Sequence, residues 1–196
     1  MAIDVKEILP YADRNDFRRW LQENHAYATE CWICVKRGKI SSAANDQILC
    51  YLDAVEEALC FGWIDSTVKT KDGKYIQRFS PRRKNSLWSE LNKERCRRLE
   101  KLGLMTEAGR LVLPDMCVEN FMIDPDIREA FMDNPIAWEN FLKFPELYRR
   151  VRIDTIQRDK RKDLKVFCNR LDRLVQSSAY GKMFGDWNDD GRLLTY

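Results

Sequence analysis

The stretch RFSPRRKNSLWSELN, residues 78–92, places Arg78, Arg82, Arg83 and Lys84 within seven residues. Guanidinium groups at this density suit charge-assisted, often bidentate, hydrogen bonds to a phosphate or carboxylate. Ser89 is placed to cap a following helix, whose first amides are unpaired and electropositive. Cations gathered at the positive end of a helix dipole repel one another unless they solvate or an anion docks among them. Ser80 and Ser86 add hydroxyls to this segment, and Trp63 or Trp88 would add a planar surface for stacking. Asp65 is the carboxylate able to act as acid or base on an anion held by Arg82 or Arg83.

Other chemistries find little support. CWIC, Cys31 to Cys34, has the form used by zinc and thioredoxin-like sites, but a structural zinc needs four ligands. No second CxxC is present, and His25 is the sole histidine. The run around CWIC reads as a strand, where residues three apart point to opposite faces. A redox pair wants a helix N-terminus instead. His25 follows a first helix and reads as a cap or surface residue. Walker, GxSxG and GxGxxG motifs are missing, so neither a metal nor a cofactor is expected.

A hairpin carries the candidate residues into space. WIDSTVKT and KYIQRFS flank Lys71-Asp72-Gly73, and Asp-Gly signals a tight primed turn. A regular ladder from Lys71 opposite Lys74 sets Thr67 against Arg78, Asp65 against Ser80 and Trp63 against Arg82. All of these then share one polar face. The other face, with Ile64, Val68, Tyr75 and Phe79, is the expected core side.

The remaining elements are read from spacing and caps. Asp13 caps a helix whose Phe17, Trp20 and Leu21 share a face, and residues 30–38 form a short buried strand. The loop SSAAND, residues 41–46, leads to a helix with Tyr51, Ala54, Val55, Ala58 and Leu59 on one side and Gly62 at its left-handed end. A helical section follows from Ser89 to Arg110, broken at Leu102-Gly103. Pro125, Pro135 and Pro145 each suit a first helical turn. Leu164, Phe167, Cys168, Leu171, Leu174 and Val175 make the apolar stripe of a last helix.

With 196 residues, 44% of them apolar, the chain can bury a core. No apolar run nears the ~18 residues of a membrane span, and the start lacks the grammar of a secretory signal. A cytoplasmic protein without membrane insertion is expected. Seven cysteines, an odd number, predict free thiols. The net charge of +3 conceals blocks: residues 74–110 carry +7, 111–147 carry −6 and 148–175 carry +6. Such blocks either neutralise one another over the folded surface or concentrate an anion site.

YLDAVEEALCFGWIDS, RFSPRRKNSLWSELN and GLMTEAG, in this order, resemble the YdeI/OmpD-associated family, also called bacteriocin-protection proteins. The resemblance covers about residues 30–110. FPELYRRVRIDTIQRDKRKDLKVFCNRLDRL is only loosely similar to the usual family ending. The resemblance implies a small bacterial cytoplasmic α+β protein, linked to tolerance of bacteriocins or cationic antimicrobial peptides, without an established catalytic activity. It also implies that Gly62, Trp63, Ile64, Asp65, Phe79, Ser80, Pro81, Arg82 and Arg83 are hallmark positions.

The expectation is an α+β fold: a small antiparallel sheet with helices over residues 1–120, and a helical extension over 121–196. The candidate ligand site comprises Trp63, Asp65, Arg78, Ser80, Arg82, Arg83, Ser86, Trp88 and Ser89. The expected partner is a small anionic ligand, bound without catalysis. Two alternatives stay open. Residues 89–110 beside a basic hairpin faintly resemble a helix-turn-helix for nucleic acid, although Glu90, Glu94 and Glu100 interrupt the basic helix. Asp65 with Arg82 or Arg83 would fit an enzyme acting on an anionic small molecule.

Overall fold

The computed structural model describes residues 8–10, 13–38 and 48–196; the predicted 41–46 loop lies outside the described residues. The chain is α+β and divides into two compact units. One runs to Leu87 and takes up Arg95–Pro114 as well; the other comprises Trp88–Glu94 and Asp115–Tyr196.

The first unit holds helix α1 (Arg14–Asn24), strands β1 (Cys31–Lys36) and β2 (Leu49–Cys50), helix α2 (Tyr51–Cys60) and the hairpin β3 (Trp63–Lys71) and β4 (Lys74–Pro81). The later part of α3 (Glu90–Lys101) and the short α4 (Glu107–Arg110) complete it. Asp13 caps α1 by accepting from the Asn15 amide, as its position predicts. The sheet order is β2-β1-β4-β3. It is mixed rather than wholly antiparallel, because the two-residue β2 runs parallel to the end of β1.

Asp72 and Gly73 both have positive φ, 50° and 72°, which gives the predicted primed turn. Val68, Lys69, Thr70 and Lys71 then pair with Gln77, Ile76, Tyr75 and Lys74, the expected register. Beyond this the ladder shifts. Asp65 pairs with Phe79, Ile64 with Ser80 and Trp63 with Pro81, because β3 carries a bulge between Asp65 and Val68. Residues paired across a ladder share a face, so Trp63 and Asp65 lie with Phe79, whereas Arg78 and Ser80 belong to the other side.

Helices cover the Trp63–Asp65–Phe79 face. Phe79 packs on Phe17 of α1 at 5.5 Å between ring centroids, and Trp63 meets Trp20 edge-on at 5.7 Å. Ile33, Val55, Ala58 and Leu59 are buried in the same unit. Val68 and Tyr75, expected in the core, are 44% and 49% exposed near the turn. Gly62 has φ +74°, and a Cβ there would stand 3.0 Å from the Ala108 carbonyl oxygen. Gly109 is tighter still: its Cβ would fall 2.3 Å from the Cys60 carbonyl oxygen. Thr106 caps α4 and also donates its hydroxyl to that carbonyl. The end of α2 and the start of α4 therefore touch backbone to backbone, which explains the small residues in FGWIDS and GLMTEAG.

The second unit contains α5 (Pro125–Met132), α6 (Pro135–Lys143), α7 (Glu146–Gln157) and α8 (Leu164–Ala179). Pro125 and Pro135 occupy first helical turns. Pro145 stands one place earlier, as an extended N-cap, so α7 starts at Glu146. Phe131, Phe141, Tyr148 and Phe167 form an aromatic core with Leu171 and Leu174 of α8. The predicted α8 stripe is narrower than its sequence, since Leu164 and Cys168 remain exposed.

Candidate functional site

The bulge decides which candidate residues meet. Asp65 sits on the helix-covered face and accepts a 2.7 Å hydrogen bond from the Tyr51 hydroxyl at the start of α2. Arg37, just after β1, stacks its guanidinium over the Tyr51 ring at 4.1 Å. It also donates to Gln77 Oε1 at 2.6 Å, and Gln77 is buried on the same face. The Gln77 amide nitrogen in turn donates to the Thr67 carbonyl, within the bulge. Tyr51, Asp65, Gln77 and Arg37 thus form one chain of polar contacts at the mouth of the sheet.

Its electrostatics are lopsided. Burial pushes the Tyr51 phenol up, and the Asp65 carboxylate adds to this, while Arg37 and Arg95 oppose it. Burial lowers the pKa of Arg82, partly offset by Cys96 and Asp65. Arg37 and Arg95 thus act on Tyr51, and Asp65 acts on both Tyr51 and Arg82. Tyr51 remains a protonated donor, and Asp65 its acceptor.

The other predicted residues separate. Trp63 is 1% exposed and donates its indole N–H to the His25 carbonyl, so it offers no stacking surface and is a core residue. It faces Pro81, not Arg82. Arg78 crosses to the opposite face, where it forms a forked pair with Glu30 Oε2 at 2.8 and 2.6 Å and donates to the Ser66 hydroxyl. Ser80 shares that side, so the single polar face expected from a regular ladder does not form. Arg82 turns back on its own loop, donating to Ser86 Oγ at 3.0 Å and to the Leu87 carbonyl. Arg83 is exposed.

Trp88 and Ser89 belong to the second unit. Ser89 caps α3 as predicted, accepting from the Asn92 amide. The Glu90 amide is taken by Asp154 Oδ2 at 3.1 Å, so a carboxylate of the chain itself occupies this helix start. Burial raises the Asp154 pKa, against the field of Arg158. Arg150 reaches Glu90 and Glu94 at 2.9 and 3.1 Å, and all three are buried.

Sequence reasoning missed a second cluster in the first unit. Glu56 and Glu57 are each 1% exposed, although they lie off the apolar stripe of α2. Arg14 and Arg18 of α1 bind Glu57, Arg14 also reaches Glu56, and Arg98 of α3 closes on Glu56 at 2.8 Å. The adjacent Glu-Glu pair was the available signal, together with arginines on the polar side of α1.

All seven cysteines are free thiols, and burial pushes Cys31, Cys60 and Cys96 up to about 12. Among the described residues no cluster of His, Cys, Asp or Glu could hold a metal ion, and no helix is long and apolar enough to cross a membrane.

Comparison with protein families divides the chain much as its contacts do. Residues 9–112, which contain the Tyr51–Asp65 group, match a domain of unknown function, DUF8412. The chain belongs to the DUF8412 family. Residues 120–181 match a second description, bacteriocin-protection, YdeI or OmpD-associated. The YdeI/OmpD resemblance therefore holds at the level of a domain, but on α5 to α8 rather than on residues 30–110. The motifs that carried it lie within the DUF8412 match instead. Neither the curated proteins nor the solved structures gave a match.

Proposed function

We propose that the DUF8412 portion binds a small anionic ligand, a carboxylate or a phosphate, at the Tyr51–Asp65–Gln77 group, without transforming it. The carrying observation is the Arg37 guanidinium laid over the Tyr51 ring at 4.1 Å, beside the hydrogen bond from Tyr51 to Asp65, with the fields of Arg95 and Arg82 felt by the same pair. A guanidinium in a partly desolvated setting favours an anion more strongly than it would in water. Tyr51 spends its one proton on Asp65, which fixes the ring under Arg37, so the donors left for the anion are guanidinium N–H groups. Arg78, Ser80, Arg83, Trp88 and Ser89 lie outside this reading, and Ser86 enters it as the hydroxyl that holds Arg82.

A role in tolerance of bacteriocins or cationic antimicrobial peptides, exerted in the cytoplasm, is the wider reading. It is supported by the family match over residues 120–181. Calorimetric titration with inorganic phosphate and with citrate tests the binding step. Arg37→Ala and Arg82→Ala should each weaken binding at least about tenfold, the loss of one charge-assisted contact. Unchanged affinity in both variants would remove this site.

A further inference from the structure

The second unit carries a pair of arginines, Arg152 and Arg173, that form no ion pair among the described residues. Arg152 stands one helical turn after Tyr148 on α7, so the two side chains share a face. The segment Phe184-Gly185-Asp186 closes over them. Gly185 has φ +69°, and a Cβ there would stand 2.7 Å from Arg152 Nη1, so the glycine lets the guanidinium lie against the backbone. Arg152 donates to the Asp186 carbonyl, and the Phe184 amide donates to the Tyr148 hydroxyl, which fixes the segment. The Arg152 guanidinium carbon is 5.6 Å from the Phe184 ring centre and 5.8 Å from that of Tyr148. Arg173, from α8, approaches the same Phe184 ring at 4.4 Å.

Two cations thus share one aromatic ring. Among the described residues neither is ion-paired to a carboxylate, and Arg152 Nε is buried with no hydrogen-bond partner. Burial lowers the Arg152 pKa, Tyr148 and Asp186 oppose this, and Arg173 lowers it further. Cation–π contact offsets part of this repulsion, yet it supplies no acceptor for the free N–H groups. A tetrahedral oxyanion would do both, accepting from planar forks on two sides.

We propose that Arg152 and Arg173, gathered around Phe184, form an oxyanion-binding site that takes a phosphate group. It is distinct from the Tyr51–Asp65 group; Arg152 and Arg173 fall within the stretch matched to the bacteriocin-protection description, and Phe184 and Gly185 follow just after it. Phe184 and Gly185 position Arg152, while Arg173, exposed on α8, completes the grip when the anion arrives.

The test is an NMR titration of the full chain with inorganic phosphate and, separately, with glycerol 3-phosphate, following arginine Nε–H signals and the Gly185 amide. Saturable shifts at Arg152 Nε–H and Gly185 are expected. Arg173→Ala should weaken them at least about tenfold, and Arg82→Ala should leave them unchanged. Tighter binding of glycerol 3-phosphate would assign the site to a phosphate monoester, and equal binding to free phosphate; either supports the proposal. If Arg173→Ala unfolds early, Arg173→Lys keeps the cation and removes the fork, and weaker binding by that variant supports the proposal equally. Silence at Arg152 Nε–H in the wild-type protein, or wild-type affinity in the folded Arg173 variants, would overturn it.

Discussion

Glu56 and Glu57 in the first unit are shared among Arg14, Arg18 and Arg98, which come from two further helices, whereas in the second unit Arg150 alone joins Glu90 to Glu94. Both arrangements place carboxylates out of water. The first spreads the compensating charge, so that Glu56 and Glu57 each keep a cation when one arginine is removed. The second concentrates it on a buried side chain, with Lys93 and the Tyr196 hydroxyl as secondary contacts to Glu90 and Glu94. Buried ion pairs contribute little net stability when intact and cost a great deal when half is taken away. Redundancy, more than the number of bridges, should therefore set how each unit responds to mutation.

The sharpest way to break this comparison is Arg150→Ala. Removing the cation that joins two buried carboxylates, while Glu90 keeps Lys93 and Glu94 keeps the Tyr196 hydroxyl, should cost about 3–5 kcal/mol, read from the denaturation midpoint in urea. Arg98→Ala should cost less, about 1–2 kcal/mol, since Arg14 still holds Glu56. Equal losses for the two variants would show that sharing the charge confers no protection.

Acid distinguishes the networks in another way. The folded-state pKa of Asp154 is raised by burial, so the folded protein holds this proton more tightly than the unfolded chain. The stabilising contribution of this proton is fully present below the unfolded carboxylate pKa and is lost as pH rises through the higher folded value. Asp154→Asn should remove that slope and keep an oxygen for the Glu90 amide; an unaltered pH profile of stability would refute the assignment. The smallest effects fall on two neighbours. Arg82→Ala should lose about 1 kcal/mol with its bonds to Ser86 and Leu87, and the exposed Arg83→Ala less than about 0.5 kcal/mol. A costly Arg83 variant would show that exposure is a poor guide in this loop.

Local chemistry was legible in the sequence; distant compensation was not. Asp72-Gly73 announced its turn and Asp13 its cap because the energies that fix them act within a few residues. The occupant of the α3 start was hidden, since Asp154 reaches Glu90 from 64 residues away. Burial of Glu56 and Glu57 was hidden for the same reason, as their arginines lie about 40 residues off on either side. Asp65 was singled out as a ligand-site residue, but its contacts with Tyr51 and, through it, Arg37 and Gln77 were not foreseen. The register error came from Ser66-Thr67, where nothing in the residue types marks an insertion. Trp63 and Arg82 were joined by counting through it.

That extra residue has a further consequence for how the hairpin tolerates changes in length. In β3 two residues stand where β4 has Arg78, and the pairs on either side, Asp65 with Phe79 and Val68 with Gln77, belong to the same face. Excising one of the two would close the gap and leave every flanking partner, and every flanking face, as it is. What would go is local coiling of the ribbon, because a bulge sharpens right-handed twist. A shortened β3 would therefore keep Trp63 in the core and carry Asp65 past Tyr51 at a different angle, so that chain length at this point acts as a steering adjustment on the polar group while the fold itself stays indifferent to it.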